Sequence, residues 1–229
     1  MLAEDAPMNA RRLSAVLCAA VALTALGGCA KKGDIVLDQG LGITAIRSRC
    51  PAVGIPDYTG DVTLFRGPAK TADNIDVVAT MTDVRTQCND GGGPQGGDKV
   101  YATASFDVLA RRSDTNGARQ VTLPYFVSVI QGGNSVISKR VGSVTISFAP
   151  GQDRARAQAS GSATIDRAAA TLPEDVRDRI TRRRKAGDQD AAMDPLADPK
   201  IRDAVARASF ELLVGFQLDQ DQLAYNATR

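Results

Sequence analysis

The chain has 229 residues, 43% hydrophobic and 24% charged, a balance that supports a buried core and excludes a disordered polar tail. There is no histidine and no tryptophan, and aromatics are 4% of the chain. This removes histidine-based catalysis and His-ligated zinc or haem, and leaves stacking platforms for bases or sugars poorly supplied. The formal charge is +2, from 28 Lys+Arg against 26 Asp+Glu, which gives no electrostatic case for nucleic-acid binding.

In chain order, Arg11 and Arg12 come first, then an uncharged apolar run from Leu13 to Leu26. Gly27, Gly28 and Cys29 follow. A basic region, a short apolar region and small residues at a cleavage point are the parts of a secretory signal. The run is shorter than the roughly 20 residues that span a bilayer. Glu4 and Asp5 stand ahead of the basic pair, which points to Met8 as the start.

Leu26-Gly27-Gly28-Cys29 resembles a lipobox, the cleavage motif of bacterial lipoprotein signal peptides. The resemblance covers residues 8–29. It implies cleavage before Cys29 and attachment of a diacylglyceryl group to that cysteine, usually with N-acylation. Two or more acyl chains make a stable anchor. Ala30, directly after the cysteine, resembles outer-membrane sorting, so the expected location is the outer membrane, facing the periplasm. The sequence after Arg11-Arg12 lacks the rest of a twin-arginine signal, which favours general export.

Four cysteines are present. Cys18 would leave with the signal and Cys29 would carry lipid, leaving Cys50 and Cys88. In an oxidising compartment these two are expected to form one disulfide. The chain has no C-x-x-C, which argues against an oxidoreductase.

The expected organisation is a signal peptide over 1–28, a lipidated tether over 29–40, and one β-rich domain over 41–229. Leu41–Ile46 reads as a first strand. Pro51, Gly54, Pro56, Asp57 and Gly60 mark a loop, and Val62–Phe65 a short strand. Ile75, Val77, Ala79 and Met81 alternate with more polar residues, as a half-buried strand requires. Val100 to Ala110 is the longest clean alternation. Asn116-Gly117 suits a turn, and Val121–Val129 a strand whose Pro124 points to an edge or bulge. Val136–Phe148 is strand-like, with Gly142 a candidate bulge, and Ala155–Ile165 is a further strand.

Residues 171–208 change to helical signals. Thr171 and Glu174 have capping-box spacing, Arg182 to Lys185 suit a last turn, and Gly187 a stop. Asp198-Pro199 opens a second helix. Phe210, Leu212, Val214, Phe216 and Leu218 form a last strand, and Asp219 with Gln222 a final capping box. The fold class expected is mainly β. It is an antiparallel β-sandwich, immunoglobulin-like in the broad sense, with a helical insertion at about 171–208 before the last strand. A small β-barrel is the alternative.

Site signals are thin. The glycine-rich stretch 91–97 is no P-loop, because Lys99 follows Asp98 and a strand follows the loop. Arg182, Arg183, Arg184 and Lys185 could contact an anionic surface, or form a solvated helix face. Asp188, Asp190, Asp194 and Asp198 lack the later glutamate and glycine of a calcium loop; Asp198 is better placed as a helix cap before Pro199, and Asp194 as a turn residue before Pro195. Glu174 and Glu211 are the only glutamates after the tether begins, Asp107 sits on an outward strand position, and no carboxylate pair is marked. Ser135-Val-Ile-Ser-Lys139 misses the S-x-x-K spacing by one residue, and Asn226-Ala-Thr228 matches a glycosylation acceptor by chance.

No catalytic residue, metal or cofactor is expected, and the chain is not expected to be an enzyme. The expected function is a lipid-anchored, non-catalytic interaction or assembly module, meeting an envelope protein or the cell wall through a strand edge or the helical insertion. The alternative is a binding module for a small molecule, lipid or sugar with an aliphatic pocket between the sheets. A carboxylate-dependent hydrolase ranks below both.

Overall fold

Period-two alternation forces each long strand to bury one face, and two such faces can cover each other. The computed structural model describes residues 48–91, 97–182, 187 and 193–229 and shows that arrangement. One sheet holds β1 (Ala52–Gly54), β8 (Phe210–Phe216), β5 (Arg119–Gln131) and β6 (Ser135–Phe148), in that order. The other holds β2 (Asp61–Phe65), β3 (Ile75–Asn89), β4 (Lys99–Arg112) and β7 (Arg154–Asp166). Every pairing is antiparallel except β1 with β8, which is parallel.

The fold is therefore a β-sandwich of two separate sheets, not a closed barrel. Its core is built from the predicted inward residues. Val77, Ala79, Met81, Ala163, Ile165 and the alternate residues from Val100 to Ala110 of one sheet are buried, as are Val144, Ile146, Phe148, Leu212, Val214, Phe216 and the alternate residues from Val121 to Val129 of the other. Each large aliphatic or aromatic side chain so buried contributes roughly 1.5–3 kcal/mol. Phe106 and Tyr125 meet edge to face at 5.1 Å across the sheets.

Several local expectations are corrected. Leu41–Ile46 lies outside the described residues, and the first described strand, β1, falls in the segment expected to be loop. Pro124 is not on an edge strand, since β5 pairs with both β6 and β8. The β8 register begins at Tyr125, and Pro124 O still accepts from Gln217 N at 2.9 Å, so the missing N–H of Pro124 falls at the last bonded position beside β8. Gly142 is not a bulge but pairs in register with Tyr125. Its Cβ would lie 2.6 Å from Tyr125 Cζ, so glycine is there to let the ring lie flat on the strand.

The helical insertion consists of α1 (Glu174–Thr181), a 3-10 turn at Pro195–Ala197 and α2 (Pro199–Ala208). The Thr171 capping box is not formed. Pro173 is the N-cap, and Thr171 Oγ1 instead donates to Arg167 O and accepts from Arg49 Nε. The helix stops at Thr181, well before Gly187. Asp198 caps α2 as expected, accepting from Lys200 N, and Asp194, expected only as a turn residue, caps the 3-10 turn by accepting from Leu196 N. The Asp219–Gln222 capping box is present and starts α3 (Gln220–Thr228).

The Cys50–Cys88 disulfide is formed, with the Cα atoms 6.0 Å apart. It pins the segment entering β1 in one sheet to the end of β3 in the other. At the opposite end, Asp76 of β3 receives two hydrogen bonds, of 2.7 and 2.6 Å, from the Arg119 guanidinium of β5. Arg112, only 3% exposed, gathers the two loops at that end. It donates to Gln152 O, Gly117 O and Ala149 O, and lies 5.1 Å from the Phe148 ring centre.

Candidate functional site

The residues singled out in the sequence do not converge. Cys29 lies outside the described residues, as do Arg183, Arg184, Lys185, Asp188 and Asp190. Arg182 ends α1, exposed, with its N–H bonded to Asp178 O at 3.0 Å. Cys50 and Cys88 are joined in the disulfide, and Asp194 and Asp198 serve helix starts. Among the described residues no group of three or more Cys, Asp or Glu could hold a metal ion. Asn226 of the glycosylation pattern is buried, its amide donating to Tyr58 O and Asp61 O at 2.8 Å each.

Asp107 is on the outward face as expected, yet it is buried at 5% exposure. The β3–β4 register shifts between Thr82 and Arg85, so Asp83 and Val84 form a bulge beside it. Asp83 takes the left-handed conformation there, with φ 53°. Hydrogen bonding from Gln158, then from Arg156, holds the Asp107 carboxyl below the usual carboxylate range. Arg85 in turn pairs with Asp83 at 2.8 Å. Each acid is matched by a base, so the cluster reads as an ion-pair network of the outer face.

The feature that stands out is the first half of β6. Ser135 to Val141 are all exposed, and Val136, Ile137 and Val141 are 63%, 53% and 61% exposed. The cause is in the register. From Val144 onward, the inward positions are Val144, Ile146 and Phe148, and they are buried. Before it, the positions paired with Tyr125, Val127 and Val129 are Gly142, Arg140 and Ser138, which have nothing apolar to bury. The strand therefore leaves the core and continues as a ribbon against β5. Val129 pairs with Ser138 and Ile130 with Val136, so Ile137 is bulged out.

No family model, curated protein or solved structure matches the chain.

Among the described residues β6 is the outermost strand of its sheet, and no described strand pairs with the backbone N–H and C=O groups of its outer side. Beside that side, the outward row places Val141 against Phe126 and Val136 against Ile130. Lys139 covers the Phe126 ring at 4.9 Å. The sequence signal was available in one place. The alternation that buries residues 144–148 changes parity near Gly142 and puts Lys139 and Arg140 next to apolar residues.

A second concavity, of about 800 Å³, lies between the helical insertion and the disulfide end of the sandwich. Leu172, Ile180, Val205 and Phe210 form its apolar lining, with Arg49 and Arg177 among its polar residues. It is not the pocket between the sheets that a ligand-binding reading required, since that space is filled by the core.

Proposed function

We propose that the chain is a lipid-anchored, non-catalytic module of the bacterial envelope that captures an extended segment of another envelope polypeptide along β6. The observation that carries this is the bare edge Ser135–Val141, with its exposed Val136, Ile137 and Val141. A strand added there would gain main-chain hydrogen bonds and cover those side chains. Lys139 and Arg140 lie in the middle of the edge, so the segment that fits alternates apolar with acidic residues. A second copy does not fit, because antiparallel self-pairing would set these cations against each other. The lipobox resemblance and the Cys50–Cys88 disulfide support the compartment.

The test is a photo-crosslinking scan of positions 135–141 in cells, with Thr164 on the other sheet as control. A captured strand gives a ladder, in which successive β6 positions crosslink to successive residues of one partner segment. Crosslinks scattered over unrelated proteins, or equal yield from Thr164, would sink the proposal. Its anchor is tested by intact mass of non-reduced, membrane-purified protein beside Cys29→Ala. A mass beginning at Cys29 and raised by acyl chains is expected, and an unmodified soluble chain would remove the anchor.

The apolar concavity by α1 and α2 favours a second reading, an envelope binding module for an amphipathic small molecule. Native mass spectrometry of the purified protein would reveal a co-purifying ligand in that case, and a clean apo mass would retire it.

A further inference from the structure

The outer face of the β2-β3-β4-β7 sheet carries a second unusual feature, away from β6. Pairing across three strands sets Val78 beside Arg111 and Arg111 beside Arg154, directly opposite each other. The next row places Leu109 beside Arg156. The three arginines, Val78 and Leu109 line one shallow depression of about 810 Å³. Like charges directly opposite on neighbouring strands are destabilising, so the Arg111–Arg154 pair works against the fold. Arg156 is answered by Asp107. Among the described residues Arg154 has only its chain neighbour Asp153, at 3.8 Å with both groups largely exposed. The Arg111 side chain has no hydrogen bond or ion pair among the described residues. Leu109, at 48% exposure, sits between these cations instead of being covered by them.

Two guanidinium groups side by side, with few carboxylates to answer them, match the fork geometry by which arginine holds phosphate. The apolar floor beside them argues against a freely soluble anion and for an interface that is itself part anionic and part apolar. We infer that this face docks on anionic phospholipid headgroups of a bilayer, with Arg111 and Arg154 on the phosphates and Leu109 and Val78 against the headgroup boundary. The inference is independent of the β6 proposal, uses none of its residues, and can fail without it.

The test is arginine footprinting with phenylglyoxal, read by mass spectrometry, on the full chain in the form isolated from cells. The chain is incubated with phosphatidylcholine vesicles or with equimolar phosphatidylcholine and phosphatidylglycerol. Arg140 of β6 is the internal control. An arginine near an anionic leaflet gains about 1 kcal/mol, or about fivefold. Modification of Arg111 and Arg154 is therefore expected to slow about fivefold with phosphatidylglycerol, to recover in high salt, and to leave Arg140 unchanged. Equal rates with both vesicles would overturn the inference. So would equal protection by inorganic phosphate without vesicles, which would mean an anion site only. Protection by an anionic polysaccharide but not by phosphatidylglycerol would assign the face to a cell-wall polymer and overturn it as well.

Discussion

Replacing Gly161 with alanine is the sharpest probe of how the two sheets meet. Gly161 lies on β7, where Val127 of β5 presses in from the facing sheet. A Cβ at 161 would stand 2.1 Å from Val127 Cγ2 and 3.2 Å from its Cβ. Carbon atoms in contact prefer about 3.5–4.0 Å. Rotating Val127 does not solve this, since its other methyl is already 3.3 Å from the same point and valine is stiff at χ1. The strands must then part by more than an ångström. That movement would stretch the bond from Tyr125 Oη to Ser160 O, now 2.8 Å, on the adjacent residue. Overpacking costs about 1–3 kcal/mol and the lost hydrogen bond about 1 kcal/mol. Alanine returns roughly 0.5–1 kcal/mol of backbone entropy relative to glycine. The expected net cost of Gly161→Ala is about 2–3 kcal/mol. Urea unfolding of the non-reduced protein, followed by circular dichroism, measures it directly. Val127→Ala alone is expected to cost about 2 kcal/mol through its cavity. Because it also makes the space that the added methyl needs, the double variant should cost no more than Val127→Ala, a coupling of about 2 kcal/mol. Additivity within about 0.5 kcal/mol would refute the close approach of β7 to β5.

Three further outcomes follow from the same geometry. The disulfide closes a sequence separation of 38, for which the chain-entropy relation gives about 4 kcal/mol; C50S/C88S should lose about that in urea, wild type in reductant should match it, and the variant should ignore reductant. Arg112→Met strands buried carbonyls of the two loops and should cost about 2–3 kcal/mol, with faster amide exchange at Gly117 and Gly151 as the specific sign. The hydrogen bonds from Arg119 hold the Asp76 carboxyl below the usual range. A depressed folded pKa gives stability that is full above the unfolded value of about 3.9 and is lost as pH falls through the folded value. Acid unfolding scans should therefore be flat above about pH 5 and decline below about pH 4, and Asp76→Asn should flatten that decline; an identical acid limb in D76N would show the pair is not linked to folding.

Much of the architecture was legible because alternation is a local signal. Val100 to Ala110 and Phe210 to Phe216 each need only their own residues to declare an inward face, and the structure buries those faces. Caps are equally local, and Asp198 and Asp219 act within a few residues of themselves. Where a cap depended on distant atoms, local reading failed. Thr171 has the spacing of a box, but Arg49, far away in sequence, holds its hydroxyl.

The candidate surfaces belong to the other kind of information. That β6 is an outermost strand depends on which strand pairs with which, and Val136 and Ile137 read the same in a covered strand as in a bare one. Arg111 and Arg154 are 43 residues apart, and only the β4–β7 register makes them neighbours. Gly142 and Gly161 likewise look like flexible points in the sequence. Their reason is steric, set by Tyr125 and Val127 arriving from β5. The sequence alone determined the strand content, the core faces, the helix starts and a cysteine pair able to join. Tertiary structure decided the strand order, the sheet spacing and the exposed edge, because each depends on contacts between residues that the chain holds far apart.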